Sequence, residues 1–176
     1  MPIKPWKELS RETVFHKYSR KMVKVDFELP DGKVSDFYLK EEAHAAGALA
    51  LTPDNQVILT RQFRPGPMKI LYNIPGGYIE EGEDITEASL RELKEETGYT
   101  GDAQYIGGCY GCAYSSVIKH ISLVTNCKQT AGKNLDEHED IEVELVSIEQ
   151  FRDILRSGQM TDVHLGYMAL DFAGLL

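Results

Sequence analysis

Three cysteines in 176 residues are too few for a disulfide framework, so a reducing, cytoplasmic setting is expected. Long apolar runs are absent as well. No stretch approaches the roughly 18 apolar residues that a membrane span needs. The opening residues, MPIKPWKELS, lack the apolar run of a secretory signal. Basic charge is also scarce, with 19 Lys and Arg against 28 Asp and Glu and a net charge of −9. With no basic patch visible, nucleic acid and anionic membrane are disfavoured as partners, because both would be repelled. A small anionic substrate is compatible with such a chain only if a cation mediates.

What the chain does contain is ordinary for a folded domain: 42% hydrophobic and 27% charged residues. The length suits one domain, or one domain with an N-terminal extension. Residues 11 to 39 read as strands, with the alternating MVKVDFEL and KVSDFYL on either side of a PDG turn at 30 to 32. AAGALALT and QVILTRQFR flank a second turn, PDN, at 53 to 55. KILYNIPGGYIE is a short apolar run broken at Pro75, Gly76 and Gly77. After a central helical segment, AQYIGGCYG, IKHISLVTN and IEVELVS read as strands, and CKQTAGKNLDEHED as a loop. IEQFRDILRSG and TDVHLGYMALDFAGLL read as helices. Strands on both sides of a central helix, with helices last, predict an α/β or α+β sandwich.

The central segment, GYIEEGEDITEASLRELKEETGY at 77 to 99, holds seven glutamates and one aspartate against two basic residues. Asp84 is placed to cap a helix, with Glu87 completing a capping box, and Gly98 stands where the helix should stop. At about 100° per residue, Leu90, Leu93 and Thr97 share a stripe that should face the core, with Thr86 beside it. Glu92, Glu95 and Glu96 fall on another arc at i, i+3 and i+4, where like charges destabilise an isolated helix. Lys94 projects elsewhere, and only Arg91 borders the arc. A solvated acidic face and a site for a hard divalent cation are both consistent with that spacing.

The segment also resembles the Nudix box, G-x5-E-x7-R-E-U-x-E-E-x-G-U, where U is a bulky aliphatic residue. Gly77, Glu83, Arg91, Glu92, Leu93, Glu95, Glu96 and Gly98 match it, and Tyr99 is an apolar departure at the last position. The resemblance implies an α/β/α sandwich with a mixed sheet, here preceded by an N-terminal antiparallel strand region. It implies a metal-dependent hydrolase that directs water onto a phosphorus of a substituted nucleoside diphosphate. Glu92, Glu95 and Glu96 would then be metal ligands, joined by the carbonyl of Gly76. Glu83, Arg91, Gly77 and Gly98 would support them, and Mg²⁺, with Mn²⁺ as the alternative, would be the cofactor.

Outside the box, LTRQFRP and NIPGGYIEEGE resemble the ADP-ribose and ADP-sugar pyrophosphatase branch. That branch carries a late acidic loop whose glutamate serves as catalytic base or further metal acid; here Glu139 is preferred over Glu137 within LDEHED. Arg61 and Arg64 could contact a diphosphate, since guanidinium matches phosphate geometry, and Asn73 stands at a position expected near substrate. The implied partner is a nucleoside diphosphate sugar, ADP-ribose foremost. Two departures keep other substrates open: YGCAYSS at 110 to 116 lacks the branch's Pro-Gly pair, and Asn73 replaces its usual Glu. GDP-mannose, NADH and dinucleoside polyphosphates are the alternatives, as is a non-catalytic ADP-ribose sensor, though such modules often lose box glutamates. Residues 1–42 resemble a dimerising arm and 43–176 the catalytic domain, which implies a homodimer.

Other residues carry less. Cys109 and Cys112 form C-x-x-C, but no second pair or spaced histidines complete a zinc site. Trp6 could stack on a base or simply lie exposed, and His138 could touch substrate or be a solvated neighbour.

Overall fold

The computed structural model describes residues 2–135 and 140–176, and the chain divides into two compact units. The smaller comprises residues 1–44 and 110–118; the larger comprises 45–109 and 119–176.

The smaller unit is an antiparallel meander of β1 (Lys7–Lys17), β2 (Arg20–Glu28) and β3 (Val34–Lys40), in that order across the sheet. The alternation in MVKVDFEL buries Val23 and Val25 on one face. Gly32, at φ +81°, makes the left-handed turn between β2 and β3, and its N–H reaches Leu29 O at 2.9 Å. The first strand begins at Lys7, ahead of the expected start at 11, because cross-strand pairing with β2 runs back to Glu28. Trp6 lies here against Phe27 and Phe37, at centroid distances of 5.9 and 5.1 Å.

The larger unit is built on a mixed sheet of seven strands. These are β4 (Ala45–Leu51), β5 (Val57–Arg64), β6 (Lys69–Asn73), β7 (Gly76–Tyr78), β8 (Tyr99–Tyr110), β9 (Ile118–Gln129) and β10 (Glu142–Val146). The order β10-β5-β4-β9-β8 forms the main path, with β6 on β5 and β7 on β4. Pairing of β4 with β9 is parallel; β4 with β5 or β7, and β5 with β6 or β10, is antiparallel.

Both faces of this sheet are covered, so β4 reads as a nearly continuous apolar run. Leu49, Leu51, Val57, Leu59 and Ile121 pack with Phe151 and Leu155 of α2 (Ile148–Arg156) and Leu165, Ala169 and Leu170 of α3 (Val163–Phe172). The alternate residues Ala48, Ala50, Ile58 and Val124 pack with Leu93 of α1 (Ile85–Thr97). The result is the α/β/α sandwich that the resemblance implies. No helix among the described residues is long and apolar enough to cross a membrane.

Candidate active site

Helix α1 starts where its capping residue allows. Asp84 is extended, and its carboxylate accepts from the N–H of Thr86 at 2.8 Å and of Glu87 at 3.3 Å. It stops at Gly98, which takes φ +78° and donates its N–H to Lys94 O. The buried face is wider than the expected stripe. Leu93 and Thr97 are buried as expected, but Leu90 is half-buried, while Ala88, Ser89 and Glu96 are buried. Leu90 still packs against the core beside Leu93, and the Ser122 hydroxyl of β9 meets Ser89 Oγ at 3.0 Å on the added buried side.

Glu96, only 5% exposed, accepts the N–H of Gly76 at 3.0 Å through Oε2. Glu92 and Glu95 both accept from Arg91 Nη1, at 2.8 and 3.1 Å. The Arg91 Nε and Nη2 atoms donate to the two Glu83 oxygens at 2.8 and 3.0 Å, and Nη2 also reaches Tyr78 O at 3.0 Å. The acids therefore have stronger local compensation than their helical spacing indicates. Arg91 does not merely border the arc; the β7 turn brings Glu83 and the Tyr78 carbonyl to its other side and fixes the guanidinium among them. The Arg91 bond holds the Glu83 carboxyl below the usual carboxylate range, against a burial effect in the other direction. Glu83 and its neighbours in turn raise the Arg91 pKa, so the guanidinium stays charged.

Arg91, Glu92, Glu95 and Glu96 line one cleft of about 390 Å³, with Gly76, Gly77, Tyr78, Glu80 and Asn134 as the other walls. Neither glycine has open space for a side chain. A Cβ on Gly77 would stand 2.6 Å from Glu92 Cδ, and one on Gly76 would stand 2.5 Å from the Ala46 carbonyl oxygen. The donor set is made of carboxylate and backbone oxygens, which suits a hard divalent cation rather than a thiophilic one. Among the described residues no three His, Cys, Asp or Glu side chains already form a metal shell. Glu92 and Glu95 are turned to Arg91 and Glu96 to Gly76, so ligation would exchange these bonds for metal bonds.

The other expected site residues lie elsewhere. Arg61 pairs with Glu142 at 3.4 Å and Glu144 at 3.6 Å, and its guanidinium lies 5.2 Å from the Tyr72 ring centroid. Arg64 donates to Asn73 Oδ1 through Nε at 2.9 Å and Nη2 at 2.7 Å. Asn73 is 2% exposed; its Oδ1 also accepts from the Thr161 hydroxyl at 2.6 Å, and its Nδ2 donates to Leu71 O. None of these three residues lines the acidic cleft. Glu137, His138 and Glu139 lie outside the described residues. Asn134, which does line the cleft, carried no signal in a sequence motif. Cys109 is half-buried, Cys112 exposed, and both are free thiols.

Comparison with known proteins settles the family. The NUDIX domain model matches residues 41–163. This chain belongs to the Nudix family. An ADP-ribose pyrophosphatase from Bacillus subtilis is 31% identical over 92% of this chain and 89% of its own length. A methanol dehydrogenase activator from Bacillus methanolicus is 26% identical over 89% of this chain and 86% of its own. A crystal structure of an ADP compounds hydrolase superposes over the whole of both chains with a TM-score of 0.79 at 21% identity, which shows the shared fold. The chain is thus a Nudix hydrolase, an enzyme of the pyrophosphatase kind, carrying every charged position of the box.

Proposed function

We propose that this Nudix enzyme hydrolyses the diphosphate bond of a nucleoside diphosphate sugar, ADP-ribose foremost, to a nucleoside monophosphate and a sugar phosphate. The observation that carries the reading is the single cleft shared by Glu92, Glu95, Glu96, Arg91 and Gly76 and Gly77 of β7. The similarity to a bacterial ADP-ribose pyrophosphatase over most of both chains supports the substrate class.

Glu92, Glu95 and Glu96, with the Gly76 carbonyl, would hold Mg²⁺ or Mn²⁺. Such a cation neutralises diphosphate charge, polarises phosphoryl oxygens and lowers the pKa of a water. The chain's own residues do the rest. Glu83 orients Arg91, and Arg91 Nη1 bridges Glu92 and Glu95 and holds both on the cleft wall. Glycine at 77 leaves the Glu92 carboxylate room to move. Glu139 or Glu137 is the proposed acceptor of the attacking water's proton, and Glu96 a further acid in the catalytic set.

Residues 1–42 are the proposed dimerisation arm of a catalytic domain spanning 43–176. All eleven residues of β1 are exposed, Leu9, Val14 and Phe15 among them, which supports a homodimer formed through that strand. Light scattering giving a particle of one 19.8 kDa chain would refute it.

The functional test is product chromatography with Mg²⁺ and a panel of ADP-ribose, ADP-glucose, GDP-mannose, UDP-glucose, NADH and diadenosine tetraphosphate. AMP and ribose 5-phosphate formed fastest from ADP-ribose is the expected result; preference for another member moves specificity to YGCAYSS and Asn73. Glu96→Gln is the companion variant. It should cost at least about a hundredfold in kcat while ADP-ribose binding persists. No turnover by the wild type, with ligand still bound, would favour the sensor reading.

A further inference from the structure

Helix α1 ends with backbone carbonyls that its own turns leave unmatched. The segment after β9 supplies the donors: Thr130 and Ala131 N–H groups reach Gly98 O at 2.9 and 3.2 Å, and Asn134 N–H reaches Glu95 O at 2.8 Å. Lys133 Nζ donates to the Ile141 carbonyl. Asn134 is thereby held against the turn that bears Glu95 and Glu96, and it is the one described residue of the cleft wall that comes from outside residues 76–96.

Its chemistry contrasts with the rest of that wall. Glu80, Glu92, Glu95 and Glu96 are acids, and the Arg91 guanidinium is engaged by Glu83, Glu92 and Glu95. The Asn134 carboxamide is neutral and exposed, and it makes no side-chain hydrogen bond with any described residue. A neutral donor in an acidic cleft can bind an anionic oxygen without competing for the cation that the acids attract.

We infer that Asn134 is a substrate-positioning residue whose Nδ2 donates a hydrogen bond to a phosphoryl oxygen of the diphosphate. The inference rests on the hydrolase reading above and adds a specificity residue to it. The backbone bond to Glu95 O holds the Asn134 main chain beside the acidic helix, which leaves the exposed carboxamide on the cleft wall, within the space a diphosphate would occupy. Replacement by Asp would set one more negative charge against that anion.

The experiment compares the wild type with Asn134→Ala, Asn134→Asp and Asn134→Ser. It measures KM and kcat for ADP-ribose with Mg²⁺, Kd for ADP-ribose with Ca²⁺ by calorimetry, Mn²⁺ affinity by electron paramagnetic resonance, and the thermal midpoint. Alanine should raise KM and Kd about tenfold with kcat within about twofold. Aspartate should raise both further, and serine, which keeps a donor, should restore part of the loss. For alanine and serine, which add no charge to the cleft, Mn²⁺ affinity should stay unchanged, and the thermal midpoint should hold because the backbone N–H is retained. A KM and Kd for alanine within about twofold of wild type overturn the inference, as does an equal loss in Mn²⁺ affinity. A wild type that binds ADP-ribose but does not turn it over sinks the ADP-ribose hydrolase reading, and the Kd values then decide Asn134 separately. A wild type that binds no ADP-ribose overturns the ADP-ribose reading and this inference with it.

Discussion

Arg91 and Glu83 are joined by two parallel hydrogen bonds, Nε to Oε1 at 2.8 Å and Nη2 to Oε2 at 3.0 Å. This fork leaves Nη1 to span Glu92 and Glu95, so one carboxylate outside the helix orders two inside it. Glu83→Gln keeps the shape and loses the charge. The expected outcome is a fall in kcat of about tenfold or more, with destabilisation of about 1–3 kcal/mol, measured by steady-state kinetics and urea unfolding. Arg91→Lys should lose more activity than its conserved charge implies, because an ammonium cannot form the fork.

The same pair makes a pH prediction. The folded Glu83 pKa lies below its ordinary 4.5, so its contribution to stability is complete above that value. It is lost as pH falls through the folded pKa. Wild-type protein should therefore lose its stability margin over Glu83→Gln below about pH 4.5, as thermal midpoints across pH 3 to 7 would show. A margin that grows on acidification would contradict the assignment.

Gly76 and Gly77 should respond differently to alanine. At Gly77 the added Cβ meets the end of the flexible Glu92 side chain, which can swing away. At Gly76 it meets backbone, the Ala46 oxygen at 2.5 Å and Gly47 Cα at 2.7 Å. Gly77→Ala is expected to keep the fold and lose activity, whereas Gly76→Ala should lose solubility or cooperative unfolding. Circular dichroism melts beside activity assays separate the two.

Asn73 is expected to matter for stability. Truncation to Ala leaves the Arg64 and Thr161 donors without their shared acceptor in a buried setting, at a cost of about 2–4 kcal/mol. Chemical denaturation would read this directly, and a loss below about 0.5 kcal/mol would count against the hub.

The thiols should differ in reactivity. Burial pushes Cys127 up to about 11, and burial likewise raises Cys109, while Cys112 is exposed. At pH 8 a thiol reagent should modify Cys112 first and Cys127 only on unfolding.

Much of this was legible in local pattern. Alternation in MVKVDFEL, the PDG and PDN turns, the Asp84 cap and the Gly98 stop act over a few residues, so residue order alone placed the hairpins and the central helix. Boundaries shifted where pairing decided them, as at Lys7 and at β8, which starts at Tyr99 directly after the helix and not at the expected AQYIGG. Leu90, Leu93 and Thr97 do face the core, Leu90 half-buried against it, but the added burial of Ala88, Ser89 and Glu96 was not legible, because helical periodicity names a face without naming its neighbours.

The sequence by itself determined the family and the acid set, because the box is a linear pattern of residue types at fixed spacing. Only the tertiary structure decided how those acids are held. Arg91 stands among Glu83, Glu92 and Glu95 because the β7 turn folds back on the helix. Asn73 is a buried acceptor for Arg64 and Thr161, which are 9 and 88 residues away in the chain. Asn134 joins the cleft through one backbone bond to Glu95. Such contacts depend on long-range pairing and packing, which no local periodicity records.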